Sequence, residues 1–276
     1  FIGGWRPLPN LPDSHLIRTL PGHASRVLSV ALHPSRGVII SASSMGGLVA
    51  WSLTGERLRA FSAHPGAMYD VALDAGARTI YTAAADGQVR AWDLASGQLQ
   101  YATTIPCVRA LAVPGVGDVL YAGTADGRIH CLDAQTGRVR SHFAGHEGAI
   151  LDLACSIDGA TIASASNDQT VKLWDVSTGA LPVTLHGHTR HVWSVALDAR
   201  ANIVVSGSAD GSVRVWDAQT GERHRTLLGH ADEAVRVRRR AEHQAEHEAG
   251  GPPPPGGFLW TLRRLAQRGA LDVEAI

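Results

Sequence analysis

The chain is predicted to be all-β, built from one short antiparallel unit used five times, and three observations predict it. A strand-end position recurs at Trp51, Trp92, Leu132, Trp174 and Trp216, with spacings of 41, 40, 42 and 42 residues, and self-similarity at such a period marks a repeat architecture. Within each unit, short alternating runs of Val, Ile, Leu and Ala are separated by Gly, Asp, Ser and Asn, which is strand-and-turn grammar. Helical periodicity is absent until the C-terminal end.

The clearest unit runs from Gly187-His188 through Val192–Leu197 and Ile203–Ser206 to Asp210-Gly211 and Trp216-Asp217, and its order recurs from Gly145-His146 to Trp174-Asp175. This repeat length and G-H…W-D signature resemble the WD-repeat β-propeller family, over roughly Leu16 to His230. The resemblance implies a β-propeller of WD-type four-stranded blades, five of them visible, from a six- or seven-bladed ring. A four-stranded blade has two apolar faces and buries neither alone, so blades must stack radially.

In that family a His before the first strand, a Ser or Thr in the second, an Asp in the following turn and a Trp in the third share one hydrogen-bonded network. Mapped here, the resemblance implies His64, Thr82, Asp86 and Trp92 in the second unit, His146, Ser164, Asp168 and Trp174 in the fourth, and His188, Ser206, Asp210 and Trp216 in the fifth. A group that recurs with the period is expected to be structural, not catalytic.

Taken in order, residues 1–13 are Gly- and Pro-rich and irregular, without a secretory signal pattern. Residues 14–230 are the repeat domain, and Ser14 to Leu20 stands where later units have their outermost strand. The first unit has His23, Ser41 and Trp51 but Met45 in place of Asp; the third keeps Asp126 but has Leu132 for Trp, Ala122 for Ser, and Thr104-Ile105-Pro106 for Gly-His. Both must rely on apolar packing. After Gly229-His230 a sixth unit begins at Ala234–Val237 and stops in mid-strand, giving way to a polar, Pro-rich stretch over 231–257. A frame-shifted or truncated repeat is expected there, with a genuine divergent tail as the alternative. Residues 258–276 read as a short amphipathic helix.

Composition narrows the function. Lys plus Arg and Asp plus Glu are balanced at 25 each, and 45% of residues are apolar, as expected of a soluble protein with a sizeable core. Basic residues are scattered rather than striped, so no nucleic acid is expected, and no run of about 18 apolar residues predicts a membrane span. Cys107, Cys131 and Cys155 lack metal-ligand spacing and read as reduced, intracellular thiols, with a cytoplasmic or nuclear location. His243-Gln244-Ala245-Glu246-His247 matches the H-x-x-E-H zinc motif, but a polar setting beside a proline run favours a solvated segment. No cofactor, metal or small-molecule substrate is expected.

The resemblance also implies a docking surface at the mouth of the central channel, formed by the residues three and five past each His and the one before each Asp. The mouth then holds Leu28, Tyr69, Arg109, Leu151 and Trp193, surrounded by Arg26, Ala67, Ala149 and His191, with small side chains at Ser44, Ala85, Ala125 and Ala209 and Asn167 beside them. Aromatic residues and Arg are typical of protein-binding hot spots. The alternative is that Tyr69 and Trp193 pack against neighbouring blades, because one residue of misregister reverses which side chains face the channel. The expected function is a non-catalytic scaffold binding a peptide or partner protein. A ubiquitin-ligase substrate receptor is the narrower alternative, although no W-D-x-R signature follows the W-D pairs; an enzyme at the channel mouth is the third.

Overall fold

The computed structural model describes residues 19–179 and 183–228. The expected irregular N-terminus, the tail after 230 with its zinc-like motif, and the amphipathic helix lie outside these residues.

Five four-stranded antiparallel sheets follow one another along the chain, each a meander with its strands in sequence order. The first contains β1 (Val27–His33), β2 (Val38–Ser43), β3 (Gly47–Ser52) and β4 (Arg57–Ser62). The second contains β5 (Met68–Leu73), β6 (Thr79–Ala84), β7 (Gln88–Asp93) and β8 (Leu99–Thr104). The third is β9 (Val108–Ala112), β10 (Val119–Thr124), β11 (Arg128–Asp133) and β12 (Val139–Ala144). The fourth is β13 (Ile150–Cys155), β14 (Thr161–Ser166), β15 (Val171–Asp175) and β16 (Val183–Leu185), and the fifth is β17 (Val192–Asp198), β18 (Ile203–Ser208), β19 (Ser212–Asp217) and β20 (Arg223–Leu228). A single 3-10 turn at Pro34–Arg36 is the one helical element among the described residues.

First strands pack side by side from sheet to sheet, β1 on β5, β5 on β9, β9 on β13 and β13 on β17. They form the inner wall, while β4, β8, β12 and β20 are largely exposed at the periphery. The core lies between consecutive sheets. Ile40, Ala42, Leu48 and Ala50 of the first meet Met68, Val71, Ile80 and Trp92 of the second. Ala163, Ala165, Val171 and Leu173 of the fourth likewise meet Val192, Val195, Val204 and Trp216 of the fifth. Trp92, Trp174 and Trp216 thus press on the preceding sheet, where Ala side chains leave room for the ring. The turns interlock as well: Gly46 has φ +79°, and a Cβ there would overlap the His64 carbonyl of the next sheet, so only glycine fits.

The leading face of the first sheet is more exposed than the matching face of the others. Val27 and Val30 are 47% and 43% exposed, whereas the matching Met68 and Val71 are 0% and 2%. The third, fourth and fifth sheets bury the same two positions as Val108 and Leu111, Ile150 and Leu153, and Val192 and Val195.

Candidate functional site

Two sets of side chains sit at one end of the sheets. The first is the polar chain inside individual blades. In the fourth sheet His146 Nδ1 lies 2.7 Å from Asp168 Oδ2, His146 Nε2 lies 2.7 Å from Ser164 Oγ, and Trp174 Nε1 donates to the same Oγ at 2.8 Å. The fifth sheet repeats this with His188, Asp210, Ser206 and Trp216, all three contacts at 2.8 Å. The second uses Thr82, with His64 at 2.8 Å and Trp92 at 3.2 Å, and Asp86 at 2.9 Å from His64. A carboxylate only accepts, so the imidazole Nδ1–H donates to it; neutral Nε2 then accepts from the hydroxyl, which in turn accepts the indole N–H. Every polar atom along the chain is satisfied.

The electrostatics fit that assignment. Burial pushes the His64 and His188 imidazoles below their usual pKa, with Asp86 and Asp210 opposing only in part. Burial by itself would raise the Asp168 and Asp210 carboxyls. Hydrogen bonds from His146 and Thr170, and from Ser212 and His188, outweigh it and hold both well below the carboxylate range. Atom for atom this is the order of a hydrolase triad, but Thr82, Ser164 and Ser206 are fully buried and their oxygens already accept an indole N–H. No substrate atom reaches them.

The degenerate sheets solve the same position differently. In the first, His23 and Trp51 still meet Ser41, at 2.6 and 2.8 Å, while Met45 is 73% exposed. In the third, Ile105, Ala122 and Leu132 join one buried apolar cluster with Val108 and Leu120. Its Asp126 turns away to the Thr124 hydroxyl and to Arg128.

The second set is the group expected at the channel mouth. In every sheet the first strand carries a β-bulge against the second, and the residue that the register skips is Leu28, Tyr69, Arg109, Leu151 or Trp193. A bulge re-aims the side chain it frees. Here the residues on either side are buried in most sheets, while Arg109 and Trp193 are exposed and Leu28, Tyr69 and Leu151 half-buried. Beside the bulges, the N–H of Ser44, Ala85, Ala125, Asn167 and Ala209 donates to the carbonyl of Arg26, Ala67, Cys107, Ala149 and His191, at 2.8–2.9 Å. Both groups of candidate rim residues are therefore tied together five times over. The Arg109 guanidinium lies 4.4 Å over the Tyr69 ring, and His191 meets Trp193 edge to face at 6.1 Å.

Two carboxylates at the next position had no place in the sequence reading. Asp70 accepts from Ser29 Oγ of β1 at 2.7 Å and from Leu111 N–H of β9 at 2.9 Å, joining three inner strands. Asp152 likewise accepts from Val195 N–H of β17 at 3.1 Å. The available signal was an Asp inside an apolar strand, since a buried carboxylate needs several donors.

Comparison with known proteins decides the family. The model for "WD domain, G-beta repeat" matches residues 14–49, 55–93, 137–175 and 179–217, more than half of the chain. The chain belongs to the WD40 family. The WD40 matches pass over residues 94–136, which hold the three inner strands of the apolar third sheet. The chain is 40% identical over 63 residues to Periodic tryptophan protein 2 of Saccharomyces cerevisiae, a stretch covering 22% of this chain and 7% of that protein. It also resembles the crystal structure of the computationally designed Ika8 protein, with a TM-score of 0.66 and 29% identity over 79% of this chain and 67% of that one. WD40 repeats generally mediate protein–protein contacts. No helix among the described residues is long and apolar enough to cross a membrane.

Proposed function

We propose that this WD40 chain is a non-catalytic scaffold that binds a peptide or partner protein at the channel mouth. Trp193, Tyr69, Arg109, Leu28 and Leu151 form the contact surface, with Arg26 and His191 around them. The observation that carries the reading is the bulge repeated in all five inner strands, each setting one of these residues outside the pairing register. Aromatic and Arg side chains on a rigid rim lose little conformational freedom on binding. Catalysis is disfavoured because the one His–Ser–Asp arrangement is buried and recurs with the repeat.

The test is affinity capture by the 276-residue chain, compared with Trp193→Ala. Since Trp193 is 39% exposed, its truncation should cost less than about 1 kcal/mol of stability while weakening capture about tenfold or more. Partners retained undiminished by Trp193→Ala and Tyr69→Ala would place binding elsewhere.

A further inference from the structure

We infer that the partner presents an acidic segment to the mouth, with a carboxylate seated on Arg109; this rests on the docking reading above. Among the bulge, rim and pre-Asp positions the formal charges are Arg26 and Arg109, both positive. Acidic groups nearby are already engaged. Asp86, Asp168 and Asp210 face their histidines, Asp126 faces Thr124 and Arg128, and Asp70 and Asp152 accept donors within the inner wall. Glu147, also exposed, lies in the loop before the fourth sheet, where its N–H donates to Asp168.

Arg109 is also held ready. Its Cζ lies 4.4 Å from the Tyr69 ring centroid, a cation–π contact, and an exposed guanidinium keeps N–H edges available for bidentate capture of a carboxylate. No carboxylate pairs with it among the described residues. The exposed Trp193 offers an apolar ledge on the same mouth, so an acidic residue accompanied by an aromatic or aliphatic one fits both.

The experiment is selection of random twelve-residue peptides, displayed on phage, against the immobilised full chain. The selected pool should be enriched in Asp and Glu beside an apolar anchor. A synthetic peptide from it should lose about tenfold affinity on Arg109→Ala and more on Arg109→Glu. Arg109→Lys should rescue only part of that, because a point charge lacks the fork. Binding should weaken as salt rises, with the unfolding midpoint unchanged throughout. A pool without acidic enrichment whose binding depends on Trp193 but not on Arg109 overturns the acidic assignment and leaves the docking surface standing. Selected peptides indifferent to both residues, or no selection, overturn the surface and the assignment together. Displacement by a single-stranded oligonucleotide at comparable affinity, with the same Arg109 dependence, overturns it in favour of nucleic acid.

Discussion

The third and fourth sheets occupy equivalent places and solve one problem in opposite ways. Where the fourth buries His146, Ser164 and Trp174 in a hydrogen-bonded chain, the third buries Ile105, Ala122 and Leu132 as plain hydrocarbon. Both keep the same strand order. Replacing every member of a buried polar network can be nearly neutral, whereas losing one member strands the others without partners. In the third sheet the His, Ser and Trp positions are all apolar together, and the remaining Asp126 is satisfied by Thr124 and Arg128 instead. The first sheet is the intermediate case: it lacks the carboxylate, and His23 is only half-buried, so its free ring nitrogen is not sealed from water.

The largest test of this contrast exchanges one oxygen in each sheet. Ser164→Ala leaves His146 Nε2 and Trp174 Nε1 without a partner and should cost about 2–3 kcal/mol of stability. Ala122→Ser in the third sheet inserts a hydroxyl into the apolar cluster and should cost about 1–2 kcal/mol, although it restores the family residue. Urea unfolding midpoints of the two variants decide it. A stabilising Ala122→Ser would show that the contrast lies in sequence alone and not in packing.

Acid comes next in size. His64 and His188 have native pKa values below the ordinary 6.5 because of burial, so below pH 6.5 the unfolded chain binds protons that the native state refuses. Their contribution is complete above about pH 6.5 and is lost as pH falls through the window beneath it. Asp168 and Asp210 act lower still: their depressed values give stability present above about pH 4, which disappears as pH falls through the native values. The urea midpoint should therefore drop between pH 7.5 and 5.5. His130 of the third sheet shifts the same way, also by burial, so it adds to the same drop. A flat midpoint across that range would mean that these imidazoles are not held neutral.

The period, the five units and the polar chain were legible because each is a local residue type at a fixed interval. The third sheet was legible only as a departure, since an apolar solution carries no signature beyond the absence of His and Trp. The mouth was harder. Strand alternation alone leaves the facing of Tyr69 and Trp193 undecided, and the bulge that skips Tyr69 appears only when Met68 and Asp70 are seen opposite Ala84 and Ala83. Asp70 could not be read either, because its donors Ser29 and Leu111 lie 41 residues away on either side. Nothing in a strand's own sequence announces a hydrogen bond to the next repeat.

The smallest effect is the one that probes the leading face of the first sheet. Val71 is 2% exposed and packs between the first and second sheets, so Val71→Ala removes about two buried methylene equivalents and should cost about 2 kcal/mol. Val30 holds the same place in β1 yet is 43% exposed, and Val30→Ala should cost about 0.5 kcal/mol or less. The ratio measured by urea unfolding is the informative quantity, because side-chain chemistry and strand position cancel in it. A Val30→Ala cost that rises toward that of Val71→Ala as protein concentration increases would mean that a second copy covers this face in solution, since only association makes stability depend on concentration.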